Sequence, residues 1–132
     1  ENGFTDDKTV LDSEDDVATA NWGGVWRMPT EEEQRELVAN CTWVWTTENG
    51  VNGYRVTSKV EGYTDRSIFL PAAGYRYGTD VLFVEVIGRY WSSTPSVETS
   101  AAAAFVFYSI EMAPHNFDNK CRGLSVRLVK DI

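Results

Sequence analysis

One histidine and two cysteines bound the chemistry open to this chain. A serine triad needs a base beside the nucleophile and an acid that orients the base, so His115 would have to be the base. It sits in Ala113-Pro114-His115-Asn116-Phe117-Asp118, a stretch of loop composition, and no Gly-x-Ser-x-Gly elbow accompanies it. Cys41 and Cys121 lie far apart and form no ligand cluster with that histidine, which leaves a zinc site without donors. They are also too few for a disulfide scaffold, and read as two independent thiols. Glycoside chemistry needs a pair of carboxylates, but nothing in the spacing singles out a pair from the 20 acidic residues. Gly23-Gly24 and Gly50/Gly53 precede no Lys-Ser/Thr, so they fit a helix stop and turns better than a phosphate cradle. Catalytic residues, metal and cofactors are therefore not expected, and Asn40-Cys41-Thr42, a weak glycosylation sequon, reads as the end of a helix.

The elements around these residues follow from local pattern. Ser13 and Asp16 have capping-box form ahead of Val17, Ala18 and Ala20, with Gly23-Gly24 as the stop, which predicts a short first helix. Thr30 and Glu33 form a second box, and Glu31, Glu32 and Glu33 place carboxylates at the positive end of the macrodipole. That placement accounts for an acidic run that lacks calcium-loop spacing. Leu37, Val38 and Cys41 fall on one inward stripe. From Cys41 the period changes to two: Trp43, Trp45 and Thr47, then Asn49-Gly50-Val51-Asn52-Gly53, then Tyr54, Val56 and Ser58 predict a hairpin whose two glycines take positive φ. Shorter strands are expected at Ser67–Leu70, Arg89–Ser93, about Ala103–Ile110 and Leu124–Val129. Helices first and strands after argue an α+β fold with an antiparallel sheet, in one domain spanning 1–132 with an N-terminal arm over 1–12.

The chain of 132 residues has 20 acidic and 12 basic side chains and a formal charge of −8, which disfavours nucleic acid and anionic membranes as partners. Its longest apolar stretch, Ala101 to Phe107, is far short of the ~20 residues that span a bilayer, so direct membrane insertion is not expected. Aromatic residues make up 13% of the chain and crowd its last third, where Tyr90, Trp91, Phe105, Phe107, Tyr108 and Phe117 are interleaved with polar groups in no clean period. Trp91, Val106 and Phe107 suit a core. Phe117, beside Asp118 and Lys120, has the composition of an interface instead.

Six blocks carry a family resemblance: Trp22-Gly23-Gly24-Val25-Trp26-Arg27-Met28-Pro29-Thr30, Asn40-Cys41-Thr42-Trp43, Asn49-Gly50-Val51-Asn52-Gly53-Tyr54, Ser67-Ile68-Phe69-Leu70-Pro71-Ala72-Ala73-Gly74-Tyr75-Arg76, Tyr90-Trp91-Ser92-Ser93 and Gly123-Leu124-Ser125-Val126-Arg127. Together, from Val17 to Val129, they resemble the Fibrobacter major paralogous domain family. The resemblance implies a C-type lectin-like fold, with two short helices packed on a small twisted antiparallel sheet with long loops. It also implies a role as the variable protein of a diversity-generating retroelement, in which a C-terminal cassette, here about 89–124, is rewritten at adenines. An Asn codon altered at its first two bases cannot give Glu, Gln, Lys, Met or Trp. Arg89, Val97, Thr99, Phe105, Tyr108, Ile110, His115, Phe117, Asp118, Cys121, Arg122 and Leu124 are permitted products and the candidate ligand-binding residues, with Phe117 and His115 foremost. Trp91, Glu98, Glu111, Met112 and Lys120 would be scaffold.

The resemblance thus implies a non-enzymatic ligand-binding module on a cell surface or phage particle, its leader or anchor outside this chain, that recognises a protein or glycan ligand on another surface. The alternative is a structural or adhesive cell-surface module of the same fold with no diversified site. The sugar-binding Glu-Pro-Asn, Gln-Pro-Asp and Trp-Asn-Asp motifs of calcium-dependent lectins do not occur, so calcium is not expected. Nor do Cys41 and Cys121 reproduce the close cysteine pair of the formylglycine-generating enzyme, a second relative of the fold. Cys41 belongs to the family's Asn-Cys-Thr-Trp block and Cys121 stands where an aromatic is usual, so no bridge between them is implied.

Overall fold

The computed structural model describes residues 10–96 and 100–131, with the backbone alone for Pro114 and His115. Its first helix, α1 (Val17–Trp22), is capped by Asp16, not by Ser13 as the capping pattern suggested. One Asp16 oxygen accepts from the N–H of Ala18 at 2.8 Å, and the other accepts from the N–H of Met28 at 2.9 Å. A single buried carboxylate thus serves the helix start and the chain that follows the helix, a double duty Ser13 could not perform. Gly23, at φ 91°, ends the helix as expected.

Between the helices runs β1 (Trp26–Arg27), which pairs antiparallel with β10 (Val129–Lys130). Arg27 fastens this clasp through Glu33 at 2.7 Å and Asp131 at 2.8 Å. The capping box of α2 (Glu31–Asn40) is present with both reciprocal bonds, and its first turn is acidic throughout. The Arg27 guanidinium, chiefly by hydrogen bonding, holds the Glu33 carboxyl below the ordinary range.

The predicted hairpin forms from β2 (Cys41–Glu48) and β3 (Val51–Ser58), with β4 (Ser67–Pro71) on the far edge of β3. Asn49 (φ 50°) and Gly50 (φ 77°) make its two-residue turn. Gly53 does not take positive φ as expected. It lies within β3, where a Cβ would stand 2.3 Å from the Leu70 carbonyl oxygen, so its role is close strand approach.

A small hairpin that the sequence pattern did not reveal, β5 (Tyr75–Tyr77) and β6 (Asp80–Leu82), precedes the second three-stranded sheet. That sheet is β7 (Gly88–Pro95), β8 (Ala101–Phe107) and β9 (Met112–Asn119), with β8 in the middle. The stretch around His115, expected to be a loop, is therefore strand. Its register moves from Val106↔Ala113 to Ala104↔Asn116, so Pro114 and His115 together face Phe105 across a bulge. A bulge at an edge strand is where proline is tolerated, and it hides the alternation that would otherwise mark a strand. The expected strand at Leu124–Val129 reduces to β10. Its earlier part makes single bridges only, Gly123 to Arg76 and Ser125 to Tyr90.

Named strand pairs are all antiparallel and mixed with two helices, so the architecture is α+β. The core lies where the two three-stranded sheets and α2 meet: Tyr54, Val56, Leu70, Ala72, Tyr90, Phe105 and Phe107 are buried, with Leu37, Val38, Trp43 and Trp45 packed against them. Ring contacts are mostly edge-to-face, with Trp43 5.4 Å from Tyr54 and Tyr54 5.4 Å from Phe107. Gly88 is required by this packing, because a Cβ there would come within 2.0 Å of the Phe107 ring.

Candidate ligand-binding face

Register places Arg89 opposite Val106 and Asp118 opposite Ala102, so both project from the face of β8 that carries Ala102, Ala104 and Val106. Phe105 and Phe107 occupy the other face, toward the core. The alanine run keeps the middle strand low, and Arg89 from β7 reaches across it to Asp118 on β9. There its Nη1 donates to Asp118 Oδ2. Arg122, just past β9, donates from Nη1 to Asp118 Oδ1 at 2.9 Å, and the N–H of Asn119 donates to the same oxygen at 2.9 Å. The Asp118 side chain is only 2% exposed, against 17% for Arg89 and 27% for Arg122. A buried carboxylate with two cationic partners holds both guanidiniums in place.

Both guanidiniums lie over one aromatic ring. The central carbon of Arg89 is 4.3 Å from the Tyr75 ring centre and that of Arg122 is 5.2 Å away, with Tyr77 a further 0.7 Å out at 5.9 Å from Arg122. This placement depends on a backbone join: Arg76 N–H donates to Gly123 O at 2.7 Å, and Gly123 N–H donates to Arg76 O at 2.8 Å. A Cβ at Gly123 would stand 3.0 Å from Arg76 Cβ, so the residue after Arg122 must be small for the two segments to meet. Tyr75 in turn stacks on Phe83 at 6.0 Å.

Phe83, Val84 and Val86 form a largely apolar rim interrupted by the exposed Glu85. Phe83, Val84 and Val86 are each at least half exposed, as are Tyr77 and Val81 on the hairpin. The backbone here is strained, with Phe83 at φ 54° and Glu85 at φ 66°, both left-handed and neither glycine. It is held by Glu85 N–H donating to Ala72 O at 2.7 Å and Ile87 N–H donating to Phe83 O at 3.0 Å. Rigid backbone therefore presents these side chains to solvent.

The residues nominated from sequence divide accordingly. Arg89, Asp118 and Arg122 come together in one network, with exposed Cys121 next to Arg122. Phe105 is corrected: it is 3% exposed, inside the core cluster, and no ligand reaches it. Asp118 is corrected in role, since its carboxylate is spent on two arginines and faces no solvent. Tyr108 and Ile110 lie at the β8–β9 turn, where Tyr108 N–H donates to Glu111 O at 2.8 Å and Ile110 is 93% exposed. Phe117, expected on a loop, is half-exposed on β9 opposite Ala103, on the other sheet face from Asp118. Leu124 is half-buried. Val97 and Thr99, with Glu98, lie outside the described residues, as does the side chain of His115 and most of the 1–12 arm.

Tyr75, Tyr77 and Phe83 were missed. Their available signal was Tyr75-Arg76-Tyr77-Gly78, an alternating aromatic–cation pair ahead of a turn glycine at φ 60°. Cys41 and Cys121 are both free thiols, and burial raises the pKa of Cys41. A groove of about 480 Å³ at the start of α2 is lined by Val10, Thr30, Glu31, Glu32, Arg35 and Thr94, and none of the nominated residues among the described ones borders it. Among the described residues no group of three or more His, Cys, Asp and Glu is placed to hold a metal ion. No family model matches the chain, no curated protein matches its sequence, and no solved structure matches it.

Proposed function

We propose that this chain is a non-enzymatic recognition module of C-type lectin-like fold, which binds a protein or glycan ligand on another surface through a face shared by the β5–β6 hairpin and the C-terminal third. The observation that carries this reading is the face formed by Arg89, Arg122, Tyr75 and Tyr77. Tyrosine and arginine are the residues that dominate binding hot spots, and here they are fixed by a buried carboxylate and a strained backbone before any ligand arrives. Pre-ordering of this kind lowers the entropic cost of association. Chain segments far apart in sequence contribute to the face, and the aromatic core behind it is a separate body of residues.

The retroelement half of the proposal rests on the family resemblance together with the exposure of Tyr108, Ile110, Phe117 and Cys121. Each can change without disturbing the core cluster. A second reading, an adhesive or structural module with no diversified site, has an observation in its favour: Phe105 is a core residue and Asp118 an ion-pair anchor, and neither tolerates free exchange. Sequencing sibling copies of the gene separates the two. Substitutions at Tyr108, Ile110, Phe117, Cys121 and Arg122, with a template repeat and a reverse transcriptase gene nearby, support diversification. Substitutions scattered evenly over the chain support the second reading. For recognition itself, peptide and glycan display against the whole chain should yield binders that Tyr77→Ala weakens by more than ~1 kcal/mol with no loss of folding, whereas binders indifferent to Tyr77→Ala would move the site elsewhere.

A further inference from the structure

We infer that the free edge of β2 is a dimerisation edge: two copies of this chain pair their β2 strands antiparallel across a two-fold axis at Val44, which joins their β2-β3-β4 sheets into one. None of the residues of the recognition face belongs to this edge.

A strand at the edge of a sheet presents unpaired N–H and C=O groups, and folded proteins blunt such edges with proline, charge, bulges or a covering segment. The other edges of the two three-stranded sheets are blunted in these ways. β7 is covered: Trp91 N–H donates to Ser125 O at 3.0 Å, and Ser93 N–H donates to Pro29 O at 2.9 Å. β9 carries Pro114 and the bulge opposite Phe105. β4 is five residues long and ends on Pro71. β2 has none of these devices. Its eight residues pair with β3 without a break in register, and Cys41 to Thr47 include no charge, no proline and no glycine.

The direction of the free groups follows from the hairpin. Its two-residue turn makes Glu48 and Val51 a hydrogen-bonded pair, and alternation then points the backbone groups of Val44 and Thr46 toward β3 and those of Trp43, Trp45 and Thr47 away from it. The same alternation on β3 points Asn52 and Ser58 toward β4, where Asn52 O accepts from Ala72 N–H at 2.8 Å and Ser58 N–H donates to Arg66 O at 3.0 Å. Among the described residues no backbone partner meets the outward N–H and C=O groups of Trp43, Trp45 and Thr47. The core is unfinished in the same place. Tyr54 and Val56, opposite Trp45 and Trp43 on β3, are 5% and 2% exposed, whereas the two tryptophans are only partly buried. A strand added beyond β2 would cover both the backbone groups and the rings.

Self-complementarity selects the occupant. Thr42-Trp43-Val44-Trp45-Thr46 reads the same in both directions. Antiparallel pairing about Val44 sets Trp43 opposite Trp45 of the second copy, so the outward groups meet as a hydrogen-bonded pair, and sets Thr42 opposite Thr46 on the solvent face. Val44, 52% exposed, meets Val44 of the second copy on the axis as a non-hydrogen-bonded pair, with about 4.5 Å between Cα atoms. Aromatic pairs and threonine pairs are favourable across strands. Local charge does not oppose the contact: Glu48 falls opposite Asn40 and is held by Arg55, whose Nε donates to Glu48 Oε1 at 2.7 Å. The charge of −8 on each copy repels at long range, so added salt should strengthen the pairing.

Sedimentation velocity of the whole chain from about 10 to about 500 µM tests this, a range suited to a contact smaller than a standard interface. The mass should rise toward that of two copies as concentration increases, and Hydrogen exchange at the Trp43 and Trp45 amides should slow in step. Val44→Glu should hold the chain at one copy across the range with an unchanged circular dichroism spectrum, because the side chain is exposed and stands beside Arg55. Val44→Lys should also stay single. Mixing the two variants should restore association, since a residue on a two-fold axis faces itself and opposite charges meet only in the mixture. An unsubstituted chain that stays single at the top of the range, association that Val44→Glu leaves intact, or a mixture no better than its components would each overturn the inference. Protection of the Trp43 and Trp45 amides that is the same at every concentration would overturn it as well, by showing the edge covered within one chain.

Discussion

The aromatic core around Phe107 and the aromatic face around Tyr75 use the same kind of ring for opposite ends. In the core, Trp43, Trp45, Tyr54 and Phe105 surround Phe107 mostly edge-to-face, and no charged group is among them. On the face, Tyr75 lies under two guanidiniums and against Phe83, with one buried carboxylate fixing the cations. Shape complementarity holds the first region, and losing a ring there opens a void. Charge placement holds the second, and losing a charge there leaves another unpaired. Ring packing and charge placement are thus divided between the two sides of one strand, β8.

Substitutions can break this comparison in order of size. Phe107→Ala should cost about 3–5 kcal/mol, read as a fall in the denaturation midpoint, because the site is enclosed by rings that cannot collapse into the space. A loss below ~1 kcal/mol would mean the core is not organised around that residue. Asp118→Ala should cost about 2 kcal/mol, less than for a fully enclosed pair because water reaches both arginines in part. It should also mobilise the Arg89 and Arg122 side chains while the Trp43 and Trp45 fluorescence stays native. Simultaneous loss of both signals would merge the two regions into one.

Alkaline titration sharpens the contrast. Burial raises the Tyr90 phenol well above its ordinary value, and its hydroxyl donates to Pro71 O at 2.8 Å. Above about pH 10 the unfolded chain loses this proton while the folded one keeps it, so stability complete below that pH should decline as pH rises further. Tyr90→Phe should make the alkaline limb shallower, and an unchanged limb would assign the decline to other groups. The smallest effect belongs to Phe117→Ala, which should move the melting temperature by no more than about 2 °C. A larger fall would make Phe117 part of the frame.

Legibility in the sequence followed range of interaction. The Thr30–Glu33 box, the Gly23 stop and the Asn49-Gly50 turn are made by residues within a few positions of one another, and each stands where its pattern put it. Asp16 escaped because its second duty, the Met28 N–H, lies 12 residues away. The β9 strand escaped because Pro114 and His115 break its period with a bulge that only the pairing with β8 explains. For the face, a rule based on codons is blind to burial, so it admitted Phe105 and could not see Tyr75, which enters through a backbone join to Gly123.

The clasp of β1 on β10 bears on any role under tension. Trp26 pairs with Lys130 and Arg27 with Val129, so the outward-running chain leaves both strands at the same end of a two-rung ladder. Load applied along those directions peels the rungs one after another instead of shearing them together. A single-molecule pull applied at Trp26 and Lys130 should therefore record a weak early release ahead of the main rupture.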